Sequence, residues 1–348
     1  MRTLFNTKGR RDGGTEGRRD GGTEGQRDRA LIGLSVSPSL RPSVPPSLRP
    51  SVSPSLRLSV VIGSHNARSS VRECLGALES QRKGHDVEII VIDNSTDGTA
   101  EIVSGEFPNL KLVKAPASAL IPELWGIGVK QSAGALIATT TSHFVPRPDW
   151  IEQILLAHEA PHAGIGGAIE NDDSAGLVEW AVYFCRYSSF MLPFAEKTAP
   201  DIAADNASYK RSALERCQWA MQDGFWEVMI HAEFRKQELS LSLNPAIVMT
   251  HKRSFSLPGF IGQRFRHGRQ FGAARAAGMS GRRRLVYIIL SPLIPLIFLS
   301  RIARQVLSKR SRIGKFLLSL PILTLFLLSW SVGELSGYLK GRPTFWRK

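Results

Sequence analysis

Leu58–Gly98 reads LSVVIGSHNARSSVRECLGALESQRKGHDVEIIVIDNSTDG. Leu58–Ile62 is a short, β-branched apolar run closed by Gly63. Val71, Leu75 and Leu78 recur at helical spacing, and Val87–Ile92 forms a second apolar run that stops abruptly at Asp93-Asn94-Ser95-Thr96-Asp97-Gly98. Continuous apolar strands on either side of a helix predict a βαβ unit in a parallel sheet buried on both faces. Ligands of such sheets bind beyond the carboxyl ends of the strands. The polar groups of this stretch fall there: Ser64, His65 and Asn66 after the first strand, Asp93 and Asn94 after the second. A blander reading leaves Asp93-Asn94-Ser95 as a turn and helix cap only.

The same residues resemble the nucleotide-binding start of family 2 glycosyltransferases, whose members read V-S-V-V-I-P-x-x-N and then E-I-I-V-V-D-D-x-S-x-D-G-T. Glu88–Thr99 matches the second half closely, and Gly63 stands where the family has proline. The resemblance implies the α/β GT-A fold, a Rossmann-like and mostly parallel sheet flanked by helices. It also implies a nucleotide-sugar donor held by Ser64, Asn66, Asp93 and Asn94, with Asp93 on the base or ribose.

Composition bounds the rest. The chain has 348 residues, 43% of them hydrophobic, and a net charge of +15. Residues 1–57 carry 11 Lys and Arg against 5 Asp and Glu, residues 58–251 carry 15 against 24, and residues 252–348 carry 19 against 1. An acidic middle and a strongly basic, partly apolar end fit an anionic membrane better than nucleic acid, which is not expected as a partner. Cys74, Cys185 and Cys217 are odd in number and unpaired in spacing, as in reduced thiols facing the cytosol.

Residues 1–57 are low in complexity: RRDGGTEG occurs in tandem and PSLRPSV-like octads follow. Such a segment cannot build a core. A period of eight in both repeats fits translation of one inverted DNA repeat, so the segment is set apart from the fold. The remaining divisions are a GT-A domain at 58–251, a basic amphipathic junction at 252–284, two hydrophobic membrane-associated helices within 285–339, and a basic tail at 340–348.

Further along the domain the family pattern is altered. After an apolar strand at 135–140, Thr141-Ser142-His143-Phe144-Val145-Pro146 occupies the place of D-x-D-x-x-P, so Thr141 and His143 stand where two aspartates belong. In the family the second carboxylate binds a divalent cation that holds the donor diphosphate. Three readings follow: His143 ligates Mn²⁺ or Mg²⁺ with help from the diphosphate; the enzyme needs no metal and His143 or basic side chains neutralise the phosphates; or the site is degenerate. A hard cation prefers oxygen ligands, which weighs against the first. Pro122-Glu123-Leu124-Trp125 likewise replaces the family's Ala-Arg-Asn.

Asp201–Arg216 resembles the G-x-N-x-x-x-R-R segment that borders the acceptor, which assigns Asn206, Lys210 and Arg211 to the acceptor or phosphate side. The resemblance then aligns Trp226-Glu227 with the Glu-Asp pair whose Asp is the general base, so Glu227 inherits that role. His231, one turn later, shares its face. Gln263-x-x-Arg266-His267 stands where processive members have Q-x-x-R-W, placing Gln263 and Arg266 near phosphates of donor or acceptor.

Two apolar runs, Leu285–Leu299 and Phe316–Val332, are broken by Pro292, Pro295 and Pro321 and separated by a basic link. If both spanned, that link would lie on the far side, against the positive-inside bias. A membrane-embedded hairpin is therefore preferred to two spans. The resulting expectation is an inverting glycosyltransferase at the inner (plasma) membrane, its catalytic domain on the cytoplasmic face, transferring sugar to a hydroxyl of a lipid-linked or polysaccharide acceptor. The alternative is a degenerate nucleotide-sugar-binding protein.

Overall fold

The computed structural model describes residues 56–340. The low-complexity segment lies outside them except for Leu56 and Arg57, as does the basic tail beyond Lys340.

The deciding stretch folds as β1 (Leu58–Ser64), α1 (Val71–Arg82) and β2 (Val87–Asp93). β1 pairs with β2 in parallel from Leu58↔Val87 to Ser64↔Asp93. Val60, Val61, Ile62, Ile90, Val91 and Ile92 are wholly buried, the two-faced burial that the unbroken apolar runs require. Gly98 turns the chain at φ +88°, where a side chain would be strained, into α2 (Thr99–Glu106). β3 (Lys111–Lys114), α3 (Ile121–Gln131), β4 (Leu136–Thr141), β5 (Phe144–Pro146), α4 (Trp150–Ala157), β6 (Gly164–Asn171) and α5 (Leu177–Tyr187) follow. Next come β7 (Lys197–Ala199), a 3₁₀ turn at Ala204–Asn206, β8 (Ala207–Lys210), α6 (Arg211–Glu215), α7 (Glu227–Lys236) and β9 (Leu241–His251).

Among the described residues the strands form one sheet in the order β3-β2-β1-β4-β8-β6-β9-β5, with β7 on β9. The half β3-β2-β1-β4 is parallel. β8 is antiparallel to both β4 and β6, and β5 and β7 are antiparallel to β9. The sheet is therefore mixed: in its second half only β6 and β9 pair in parallel, although helices still join β5 to β6, β6 to β7 and β8 to β9. Helices flank this sheet as expected.

The chain ends in α8 (Leu257–Ala276), α9 (Gly281–Leu290), α10 (Ile294–Lys309) and α11 (Ile313–Lys340), with a 3₁₀ turn, Ser291–Leu293, joining α9 to α10. The first turns of α11 lie on α5, Phe316 edge-on to Phe184 at 5.3 Å. Its second half runs alongside α8 in the same direction: Phe326 meets Phe260, and Tyr338 meets Arg275. Two G-x-x-x-G pairs bring these backbones together. A Cβ on Gly268 or Gly272 would come within 2.2 Å of the carbonyl oxygens of Trp330 and Glu334, and one on Gly333 within 2.2 Å of that of Phe265.

Candidate active site

The carboxyl ends of β1, β2 and β4 are tied to one another by polar groups. Asp93 is buried, and its two carboxylate oxygens accept from Ser95 Oγ (2.6 Å) and Ser95 N–H (3.1 Å). Asn94 donates to the Ala119 carbonyl at 2.8 Å, while its Oδ1 lies 2.9 Å from His65 Nδ1. Asn66 takes a left-handed backbone, φ +50°, which asparagine tolerates. Its Oδ1 accepts from Thr96 N–H (3.0 Å), and its N–H donates to Ser95 Oγ (2.8 Å). The two loops thus hold each other, and a cleft of about 140 Å³ opens between Asp93–Thr96, Glu101 and Lys114. Asp93 thus organises this turn and lines the cleft.

Beside this cleft, Ser142 Oγ donates to Ser64 Oγ at 3.2 Å and Thr141 ends β4 opposite Gly63. His143 is buried, its Nδ1 3.1 Å from Ser70 Oγ. Burial, then the nearby charge of Arg253, pushes its pKa down to about 3, so the ring is neutral at pH 7. Ser64, Asn66, Asp93, Asn94, Thr141 and His143 are accordingly gathered at neighbouring strand ends.

A divalent cation does not fit this donor set. Position 141 offers a hydroxyl, the Ser142 hydroxyl is spent on Ser64, and one imidazole remains. No group of three His, Cys, Asp or Glu able to hold a metal occurs among the described residues.

The acceptor-side assignments need correction. β8 runs antiparallel to β4, so each residue after Ala207 moves away from the carboxyl ends: Lys210 pairs with Leu136 at the opposite edge. There Lys210 donates to the Ala160 carbonyl (2.8 Å), and Arg211 to the Gly134 carbonyl (2.7 Å) and Ser132 Oγ (2.9 Å). Asn206 is wholly buried, accepting from Trp150 Nε1 (2.9 Å) and donating to the carbonyls of Ala168 (2.8 Å) and Ile247 (3.1 Å). His231 is also wholly buried, 3.0 Å from the Tyr209 hydroxyl and 3.3 Å from Asp201 Oδ1. These four secure the framework.

Glu227 is half-buried in the first turn of α7. The segment before it is pinned to α3, Phe225 N–H donating to the Pro122 carbonyl at 2.7 Å. α3 begins beside β1 and β4: Ile121 lies against Gly63, and Trp125 Nε1 donates to the Thr140 carbonyl at 2.6 Å. Glu123 folds back to cap α3, accepting from Leu120 N–H. On α8, Gln263 is half-buried and Arg266 exposed, while Arg264 turns inward, its guanidinium 4.4 Å from the centre of the Trp330 ring.

Around His251, at the same strand ends, lies a second cluster whose other members sequence reasoning missed. Tyr187 donates to Asp205 Oδ2 at 3.0 Å, and Arg186 reaches the same oxygen at 3.5 Å. Tyr187 packs edge-on against Phe144 (5.8 Å) and beside His251 (5.5 Å). Arg253 follows two residues after His251. The available signals were weak: a lone arginine in an aromatic helix, and a basic residue just past a closing strand.

Residues 59–218 match the model of the family described as glycosyl transferase family 2. Glycosyltransferase AglE of Haloferax volcanii is 31% identical over 101 residues, 28% of this chain and 33% of that protein; the chain thus spans about a third of its curated relative. The mannosyltransferase PcManGT of Pyrobaculum calidifontis, solved with GDP-Man and Mn²⁺, is 15% identical, with 80% and 87% of the two chains covered and a TM-score of 0.48. S. aureus TarS 1–349, solved with UDP-GlcNAc, is 14% identical, with 57% and 59% covered and a TM-score of 0.42. The stretch from β1 through β8, with the loops that carry the cleft, is thus similar to glycosyl transferase family 2.

Proposed function

We propose that this chain is a membrane-associated glycosyltransferase that moves a sugar from a nucleotide-sugar donor to a hydroxyl of a lipid-linked or polysaccharide acceptor, with inversion. The observation that carries the proposal is the cleft lined by Asp93 and Asn94 at the end of β2, with Ser64 and Asn66 on the adjoining strand end and loop, within the family-matched segment. Asp93 and Asn94 receive the nucleoside. The acceptor oxygen attacks the anomeric carbon, and the bond from that carbon to the diphosphate oxygen breaks on the opposite face. Glu227 removes the acceptor proton. One displacement without an enzyme nucleophile inverts the anomeric centre, and a positioned carboxylate is a sufficient base.

Membrane seating rests on the helical end. Leu285, Ile289, Leu293 and Leu296 of the α9–α10 segment and Leu317, Leu325, Leu328 and Val332 of α11 are exposed, at helical spacing along each. Both segments are long and apolar enough to cross a bilayer. The first half of α11 is occupied by α5, however, which leaves about 22 Å from Phe326 onward at 1.5 Å per residue. That is less than the ~30 Å hydrocarbon core. α8, with Arg266 and Arg269 exposed, accompanies this half and would have to cross too. An in-plane hairpin on the cytoplasmic face, its apolar stripes in the lipid, satisfies all of these positions.

The test is release of nucleoside diphosphate from a panel of UDP- and GDP-sugars by the full chain in detergent, with Glu227→Gln beside it. Turnover that falls at least 100-fold in Glu227→Gln, with donor binding retained, is expected. Binding of donor without turnover by the unaltered chain would favour the degenerate binding protein.

A further inference from the structure

We infer that Arg186 and Arg253 grip the donor diphosphate directly, taking the place of the divalent cation for which the Thr141-Ser142-His143 corner has no ligands. The inference rests on the glycosyltransferase reading and deepens it.

The two arginines flank the altered corner. β5 and β9 pair Phe144 with His251, and Lys252 N–H donates to the His143 carbonyl at 2.8 Å, so Arg253 leaves the sheet beside His143. Arg186 reaches the corner from α5, next to Tyr187, whose ring touches both Phe144 and His251. Charge here is unbalanced. Arg186 shares Asp205 with the Tyr187 hydroxyl, at 3.5 and 3.0 Å, whereas Lys252 is spent on Glu73 and Asp172. Burial, and then the Arg186 guanidinium, press Arg253 below its ordinary pKa, against the opposing pull of Tyr187 and Asp205. His143, neutral at pH 7, supplies none of this charge.

Polar groups at the same place are unsatisfied. Asn171 and His251 are register partners at the ends of β6 and β9, each buried to within 3% of completely. Both side-chain amide atoms of Asn171 and Nδ1 of His251 lack hydrogen-bond partners among the described residues. Buried polar atoms are seldom left so, and a partly buried surplus of guanidinium is costly without an anion. Guanidinium forks match phosphoryl oxygens and would stabilise the charge that grows on the departing diphosphate, as a metal does elsewhere.

Calorimetry on the full chain in detergent, with UDP, GDP, UMP, GMP, inorganic pyrophosphate and geranyl phosphate as probes, tests this. The nucleoside diphosphate that binds best should bind within threefold in EDTA and in Mn²⁺. Arg186→Gln and Arg253→Gln should each weaken it at least tenfold and weaken the matching monophosphate less. Arg253→Lys should retain at least a third of the affinity, which separates lost charge from lost fold; thermal melts of every variant check the latter. Affinity that collapses in EDTA, or survives both glutamine variants, overturns the inference and leaves the donor reading standing. Arginine-dependent binding of pyrophosphate without any nucleotide would keep the clamp and overturn the donor reading; no binding of any probe overturns both. A lipid phosphate shares this chemistry, so variants that weaken geranyl phosphate alone assign the arginines to the acceptor and overturn the proposal.

Discussion

Ser70 Oγ stands 3.1 Å from His143 Nδ1 and donates to the Ser142 carbonyl at 2.9 Å, so one hydroxyl on the loop before α1 fixes the corner where the family pattern is altered. The buried ring has its pKa lowered to about 3 against an ordinary 6.5. The unfolded chain therefore binds more protons than the folded one between those values, and stability is complete above pH 6.5 and falls as pH falls toward 3. Each pH unit in that window is worth about 1.4 kcal/mol for one such group. His158, lowered to about 4 chiefly by burial, adds a slope of the same sign. Urea midpoints should stay level from pH 7.5 to about 6.5 and fall from there to pH 5 in the unaltered chain, and fall less steeply in His143→Gln. Equal slopes in the two proteins would show that the ring is not held neutral.

Asn206 offers a contrast between framework and site. Its amide satisfies an indole N–H and two strand carbonyls in a wholly buried position. Asn206→Ala should cost about 1–3 kcal/mol for the groups left unpaired. Nucleoside diphosphate affinity, measured on the fraction that folds, should stay within threefold. A tenfold loss of affinity with unchanged stability would return Asn206 to the ligand side.

The crossing of α8 and α11 tolerates no side chain at its glycines. Gly272→Ala would drive a methyl to 2.2 Å from the Glu334 carbonyl oxygen and separate the helices. Beneath that contact, Glu334 is buried, accepting from Trp330 Nε1 (2.9 Å) and the Tyr338 hydroxyl (2.7 Å) with Arg275 at 3.6 Å. Spreading the helices breaks this set as well, so the cost should reach about 3 kcal/mol, at the upper end of ordinary overpacking. Melting in detergent should show a clear drop for Gly272→Ala and none for Gly278→Ala, where a Cβ meets nothing within 4 Å.

These contrasts follow what the amino-acid order could reveal. The apolar runs of β1 and β2 and the polar residues closing them were legible because strand, turn and chemistry are neighbours in sequence. Lys210 and Arg211 were misplaced because their position depends on the direction of β8, set by pairing with β4 and β6 and invisible in a local pattern. Arg186, Asp205 and Arg253 come from three separate elements and meet only through tertiary packing. The glycines at 268, 272, 333 and 337 have a motif's spacing, yet nothing local says that the two pairs face each other.

The basic link between the hydrophobic helices decides how the helical end sits in a membrane. It was expected on the far side of a bilayer if both runs spanned. Instead it packs on the catalytic domain: Lys309 donates to the carbonyls of Ser188 (3.1 Å) and Ser189 (3.2 Å), and Arg312 meets Glu170 and Asp173. The opposite end of the bundle is basic too, with Arg284 donating to the Leu339 carbonyl at 2.9 Å and Lys340 closing α11. Two spans would carry Arg282–Arg284 across the membrane, whereas an in-plane hairpin leaves both ends on the domain's side. Cysteines introduced singly as Arg283→Cys and Ser308→Cys report the difference, since both positions are exposed while Cys74 and Cys217 are buried. Cys185→Ser removes the remaining half-buried thiol. In sealed vesicles with the catalytic domain outward, a membrane-impermeant maleimide should label both positions at similar rates. Labelling of position 283 only after permeabilisation would establish two spans and overturn the in-plane seat.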